Sequence, residues 1–111
     1  MIRKLQWISM IALVLAGCAQ THSDHPPQSG EVEVRIDNFT FSPATVTISP
    51  GTKVTWINHD DVPHTATSAT KVFASSALDT DKKFSFVFTK TGTFPYYCAV
   101  HPHMTGQIIV K

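Results

Sequence analysis

The sequence predicts an all-β fold, a small β-sandwich or barrel, and three observations lead to that prediction. From Glu31 onward apolar residues alternate with polar ones, which is the period of a β-strand. The alternating runs are short, and turn residues such as those of Pro50–Thr52 and Lys90–Gly92 separate them. No amphipathic helix is expected, because no stretch repeats its apolar residues every three or four positions.

Residues 1–17 predict an export signal rather than a part of the fold. They begin with the basic Arg3 and Lys4 and continue into an apolar stretch that ends in small residues before Cys18. The apolar run is interrupted by Ser9 and is shorter than the roughly 20 residues that cross a bilayer. The "LAGC" at its end resembles the lipobox of bacterial lipoproteins, which predicts lipidation of Cys18 after cleavage. An ordinary cleaved signal that happens to contain a cysteine is the alternative.

Residues 18–30 predict a flexible tether, because they are polar, rich in Pro, Ser and Gly, and without an apolar period. Residues 31–111 are then left for a single domain. The chain carries 9 Lys and Arg against 8 Asp and Glu, a balance that gives no reason to expect a nucleic-acid partner. We therefore expect one exported domain, periplasmic or at the cell surface, that is anchored to a membrane through Cys18.

Alternating runs predict the strands of this domain in chain order. Their inward-facing residues are Val32, Val34 and Ile36, then Val46 and Ile48, then Val54 and Trp56, then Phe84, Phe86 and Phe88, then Phe94 and Tyr96, and finally Ile108 and Val110. Residues 65–80 hold few apolar anchors and predict a short strand and a loop. Pro95 indicates an edge or a bulge, because proline lacks the N–H that a central strand donates.

The stretch "YYCAVHPHM" predicts a metal site at the end of a strand. Cys98, His101 and Met104 follow one another at intervals of three residues, so a loop of tight turns can bring their side chains to one point. Met104 is the only methionine after the predicted signal. A lone thiol in an oxidising compartment needs either burial or a ligand. His64, which also follows a predicted strand, is the best candidate for a fourth ligand.

A thiolate, two imidazoles and a weak thioether form the ligand set of a blue copper electron-transfer site. The sequence therefore predicts a one-electron carrier with a single copper ion. An enzyme is not expected, since four protein ligands leave no open position for a substrate. The alternatives are a protein that sequesters or delivers copper without redox turnover, a zinc site, which prefers four strong ligands, and an inert buried cysteine.

His103 competes with His101 for the role of ligand. If His103 were the ligand, Met104 would be its immediate neighbour and poorly placed for the axial position, so we favour His101. His103 is then an exposed loop residue, and His59 is expected to be a solvated one. Val62, Pro63, Pro102 and Met104 predict an apolar collar around His101, which suits brief contacts with small redox partners.

These segments resemble the cupredoxins, and among them the amicyanin and plastocyanin-like group. The resemblance covers residues 32–111 and is carried by "TWINHDDVPHT" and "GTFPYYCAVHPHMTGQIIV". It implies a Greek-key β-sandwich or barrel of the cupredoxin type, a monomer, and transient redox protein partners. It also implies a type 1 copper site whose ligands are His64, Cys98, His101 and Met104.

The resemblance assigns a role to one residue beyond the ligands. Asn58 falls where relatives place a polar residue that ties the two ligand loops together, and the alternative is a turn residue at the end of a strand. The residue after the cysteine often carries a hydroxyl group in relatives, but here it is Ala99. A bond from Asn58 to this loop is therefore expected to reach its backbone.

Overall fold

The computed structural model describes residues 27–111, which form two four-stranded β-sheets around a common core. The strands are β1 (Glu31–Asp37), β2 (Thr40–Ser42), β3 (Thr45–Ile48), β4 (Thr52–Asn58), β5 (Thr67–Ser68), β6 (Lys83–Phe88), β7 (Gly92–Tyr97) and β8 (Thr105–Val110). One sheet has the order β2-β1-β4-β6 and the other β3-β8-β7-β5. The predicted all-β sandwich is confirmed. The predicted signal, Cys18 and most of the predicted tether lie outside the described residues.

The strand registers define two opposite poles of the sandwich. β1 and β4 run parallel, from Glu31 beside Lys53 at one end to Ile36 beside Asn58 at the other. In the second sheet, antiparallel pairing of β7 with β8 places Gly92 beside Val110 and Tyr97 beside Thr105. We call the end at which β4 and β7 finish the site pole, because the loops with the predicted ligands begin there.

The other end is the entry pole, where the described part of the chain joins the sandwich. The N–H of Gln28 donates to the carbonyl of Thr47 at 3.1 Å, and the N–H of Ser49 donates back to Gln28 at 2.8 Å. The N–H of Lys53 donates to the carbonyl of Gly30 at 2.9 Å. Residues 28–30 are therefore fixed to both sheets before β1 begins. Among residues 27–111 there is no helix with the length and apolarity needed to cross a bilayer.

Most residues predicted to face inward are buried. Burial alternates along β1 and β3, whereas β4 is buried on both faces from Val54 to Asn58. Phe84 and Phe86 of β6 and Phe94 of β7 are only partly buried. Phe84 and Phe86 remain partly exposed because β6 is the last strand of its sheet, where its inward face closes an open side of the sandwich.

Residues 65–80 form β5 and a loop, as predicted. Phe73 from this loop is buried and lies 5.2 Å from the ring of Trp56. Pro95 in β7 lies one residue beyond the last pair of β7 with β5, so no strand needs its missing N–H. The predicted edge strand is not found, because β7 is an inner strand between β8 and β5. Pro95 instead lies where the short β5 has ended, and its carbonyl accepts the N–H of Ala69 at 2.9 Å.

Two buried aromatic side chains, Trp56 and Tyr96, meet edge to face with centroids 5.4 Å apart at the centre of the core. The Trp56 indole nitrogen and the Tyr96 hydroxyl have no hydrogen-bond partner among residues 27–111. Burial raises the pKa of Tyr96 to about 12, and the nearby indole N–H opposes that rise without reaching hydrogen-bond geometry. Tyr96 packs so closely on Gly106 that a Cβ at residue 106 would lie 2.5 Å from its hydroxyl oxygen.

Candidate metal centre

His64 is held in place by the backbone of the loop that follows β4. Its N–H donates to the carbonyl of Leu78 at 3.2 Å, and the N–H of Leu78 donates back at 2.7 Å. The His64 side chain is fully buried. This two-way bridge fixes the imidazole at the site pole independently of any metal.

The second ligand loop, residues 98–104, is closed by its own backbone. The N–H of Cys98 donates to the carbonyl of Met104 at 3.1 Å, and the N–H of Met104 donates to that of His101 at 2.9 Å. Cys98 and Met104 are buried, whereas His101 is partly exposed. The spacing of three residues therefore produces the tight loop that the sequence predicted.

Three of the predicted ligand atoms form a compact triangle. The Nδ1 atoms of His64 and His101 are 3.2 Å apart, and Cys98 Sγ lies 3.7 Å from the first and 3.9 Å from the second. A point about 2.1 Å from all three atoms lies at the centre of this triangle, and metal–nitrogen bonds are about 2.0–2.1 Å and metal–thiolate bonds about 2.3 Å long. The three side chains therefore fit one metal ion.

His103 lies outside this triangle. It is exposed, and its ring centroid is 6.3 Å from that of His101. Met104 is brought to the same loop and is buried, so it does not contribute to an exposed collar as the sequence suggested. His59 is exposed, as expected.

Thr65, rather than Asn58, ties the two ligand loops together. The N–H of Thr65 points to Cys98 Sγ at 3.4 Å, and the Thr65 hydroxyl accepts the N–H of Ala99 at 2.7 Å. Within residues 27–111 the Asn58 amide instead donates to the carbonyls of Val62, at 2.9 Å, and Leu78, at 2.7 Å. The expected tie through Asn58 is therefore wrong.

The reason is the position of Asn58 at the end of β4, from which its short side chain reaches only its own loop and the Leu78 segment. Sequence reasoning missed Thr65. Its only signal is a hydroxyl residue directly after a predicted ligand, which is too common a pattern to single it out.

Asp60 was also missed as a site residue. Its Oδ2 lies 2.7 Å from His64 Nε2 and accepts the N–H of Phe39 at 3.0 Å, while Oδ1 accepts the N–H of Asn38 at 2.6 Å. Burial raises the pKa of Asp60, but the hydrogen bonds from Phe39, His64 and Asn38 outweigh burial, so the pKa lies below its usual value. The carboxylate therefore stands against the ring nitrogen of His64 that faces away from Cys98.

Phe39 covers the imidazoles from the surface. Its ring meets those of His64 and His101 edge to face, with centroids 5.3 Å and 5.1 Å away, and the residue is 44% exposed. Phe39 comes from the turn between β1 and β2, and the sequence pattern gave no link between that turn and the ligand loops.

Comparisons with protein families and with known proteins both find relatives of this chain. A family model described as a cupredoxin-like domain matches residues 8–110. Amicyanin-alpha of Methylorubrum extorquens is 30% identical over 108 residues, which cover 93% of this chain and 89% of that protein.

Solved structures of similar proteins include a cupredoxin and an amicyanin. A purple cupredoxin from Nitrosopumilus maritimus matches with a TM-score of 0.68 and 33% identity, over 72% of this chain and 99% of that one. An amicyanin mutant in the oxidized state matches with a TM-score of 0.70 and 28% identity, over 74% and 83% of the two chains. The copper cofactor predicted from the sequence is confirmed by these relationships together with the cluster of His64, Cys98 and His101. The chain therefore belongs to the cupredoxin-like family.

Proposed function

We propose that the protein is a one-electron carrier whose copper ion is bound by His64, Cys98, His101 and Met104 as a type 1 (blue) site. The observation that supports this most directly is the triangle of ligand atoms, with sides of 3.2, 3.7 and 3.9 Å. Bound copper would supply a centre that alternates between Cu(I) and Cu(II).

The chain's own residues prepare this site before copper binds. The bridge between His64 and Leu78 and the bond from Ala99 to Thr65 hold the two ligand loops in one relative position. Burial of Cys98 keeps its sulfur away from oxidants. The Thr65 N–H, 3.4 Å from that sulfur, stabilises negative charge on it.

His101 is the ligand through which electrons reach a partner in this proposal, because it is the partly exposed member of the triangle. The apolar surface around it includes Phe39 and Val100, which are 44% and 48% exposed. Such a surface suits transient redox partners, whose interfaces are usually smaller than about 1,200 Å². We propose a carrier and not an enzyme, because four protein ligands leave no site for a substrate.

The remaining parts of the proposal rest on the sequence. Residues 1–17 act as a lipoprotein signal, residues 18–30 as a tether whose last residues, 28–30, are bonded to the sheets, and residues 31–111 as the copper-binding domain. Lipidated Cys18 anchors a monomer to a membrane in the periplasm or at the cell surface. Mass spectrometry of the protein expressed in bacteria tests this, since a mature chain that begins at an unmodified residue other than Cys18 would contradict it.

Visible and EPR spectra of the oxidised, copper-loaded protein test the site. An intense thiolate-to-copper absorption band and a narrow parallel hyperfine splitting are expected. Cys98→Ser should abolish the band, and Met104→Leu should change the potential with little loss of copper. The pair His101→Ala and His103→Ala is matched, and only the first should remove the blue site. Loss of the site in His103→Ala with retention in His101→Ala would reverse the ligand assignment.

Redox cycling separates the carrier from the alternative of copper sequestration or delivery without turnover. A carrier should be reduced and reoxidised repeatedly in a potentiometric titration without release of copper. Copper that leaves the protein on each reduction would favour the alternative.

A further inference from the structure

Asp60 connects two parts of the site pole that lie far apart in the sequence. Its carboxylate contacts the ring of His64 at 2.7 Å and accepts hydrogen bonds from the N–H groups of Asn38 and Phe39. The backbone of Asp60 is fixed as well, because its N–H donates to Asn58 Oδ1 at 2.9 Å and its carbonyl accepts the Thr80 hydroxyl at 2.6 Å. With a side chain that is only 10% exposed, Asp60 has little freedom to move.

The contact with His64 determines which ring nitrogen is free. A carboxylate only accepts hydrogen bonds, so Nε2 of His64 must carry the hydrogen that lies between it and Asp60. The lone pair of a neutral ring is then on Nδ1, the atom that faces Cys98 and His101. A carboxylate in this position also makes the imidazole a stronger electron donor.

The charge of Asp60 also bears on the redox state. A negative charge near the metal stabilises Cu(II) more than Cu(I), and it acts strongly here because the carboxylate is largely shielded from water. Asp61 is the neighbouring carboxylate in the chain, and it is exposed, so its charge is screened.

The contact of Asp60 with the turn between β1 and β2 determines where Phe39 lies. Asp37 pairs with Thr40, which leaves a two-residue turn in which Asn38 and Phe39 have φ values of 52° and 56°. This turn type favours Asn and Gly, and phenylalanine is costly in it. The two hydrogen bonds to Asp60 offset that cost and hold the Phe39 ring against both imidazoles.

We propose that Asp60 is a positioning residue that lowers the reduction potential of the bound copper through the His64 ring and holds Phe39 over the ligand imidazoles through the turn. This inference rests on the proposed function, and it adds a residue that controls the potential without binding the metal.

Reduction potentials of the full-length, copper-loaded protein and three variants test the inference. Asp60→Asn removes the charge but keeps an oxygen that can accept from His64. It should favour Cu(I) over Cu(II) by about tenfold, which raises the potential by about 59 mV. Asp61→Asn makes the same formal change one residue away and should alter the ratio by less than about twofold. Equal shifts in the two variants would overturn the proposal.

Phe39→Ala separates the two routes by which Asp60 can act. If the carboxylate acts through His64, this variant should shift the potential by less than half as much as Asp60→Asn. A shift as large as that of Asp60→Asn would show that the turn carries the effect, and the route through the imidazole would be wrong.

Nitrogen NMR of the metal-free wild-type protein at neutral pH gives a readout that needs neither copper nor a variant. The His64 ring should carry a hydrogen on Nε2, the atom that faces Asp60. An Nε2 without a hydrogen would overturn the proposal even if Asp60→Asn failed to fold. Failure of the proposed function is distinguishable, because it would appear as a missing blue band in the wild type.

Discussion

Replacing Thr65 with valine removes the hydroxyl that joins the two ligand loops while the side-chain volume stays nearly the same. The hydroxyl accepts the N–H of Ala99 at 2.7 Å and pairs with the hydroxyl of Thr67 at 2.9 Å. The backbone N–H that points to Cys98 is not changed. Each lost hydrogen bond costs about 1 kcal/mol, so we expect the free energy of unfolding to fall by about 2 kcal/mol.

Urea unfolding of the metal-free protein, followed by circular dichroism, measures this loss. Thr67→Val is the matched control, because it removes only the contact between the two hydroxyls. The difference between Thr65→Val and Thr67→Val therefore isolates the tie to Ala99, which we expect to contribute about 1 kcal/mol. If the two variants unfolded at the same urea concentration, the tie would not contribute to stability.

The same variant has a consequence for the copper-loaded protein. All four proposed ligands remain in Thr65→Val, so the position of the blue band should not change. Copper should be lost to a chelator about fivefold faster, the factor that corresponds to 1 kcal/mol. A large change of colour would mean that Thr65 affects the ligands themselves and not only the link between their loops.

Three further predictions concern the core and the metal. Between pH 10 and 12 the unfolded chain releases the Tyr96 proton while the folded protein keeps it, because burial raises the folded pKa from 10.0 to about 12. The free energy of unfolding should therefore fall by about 1.4 kcal/mol per pH unit in this window. Urea unfolding should show no such decrease for Tyr96→Phe, whereas the control Tyr97→Phe should keep it. Gly106→Ala places a Cβ 2.5 Å from the Tyr96 hydroxyl oxygen and should lower the free energy of unfolding by about 1–3 kcal/mol. If the losses from Gly106→Ala and Tyr96→Leu simply added in the double mutant, the two side chains would not clash. Removal of copper should lower the midpoint of thermal unfolding in calorimetry, because bound copper raises the free energy of unfolding by about 2.7 kcal/mol when free copper is 100 times its dissociation constant. An unchanged midpoint would argue against binding.

The fold class could be predicted because most strands are long enough to show their period. β1 exposes one face and buries the other, and this difference is visible in the sequence, whereas β4 is buried on both faces from Val54 to Asn58. β2 and β5 have 3 and 2 residues, which is too short for a period to be recognised. The partial exposure of Phe84 and Phe86 could not be predicted either, because it depends on which strand lies at the edge of the sheet.

The residues of the site also include some that could be predicted from the sequence and some that could not. Cys98, His101 and Met104 are close in the sequence, so a single loop brings them together, and their residue types indicate a metal. Asp60 and Phe39 act through contacts between the turn that follows β1 and the loop that follows β4. Such contacts arise only when β1 pairs with β4, and no local pattern records that pairing.

The chain joins the sandwich at Gln28, at the end opposite to the copper ligands. β1 has 7 residues, so it separates the two ends by about 23 Å. A domain fixed to a surface by the residues before Gln28 would direct its imidazole edge outward into the surrounding solution. Such an orientation would favour collisions with partners that diffuse freely or project above that surface, and it would disfavour exchange with redox centres lying flat within it.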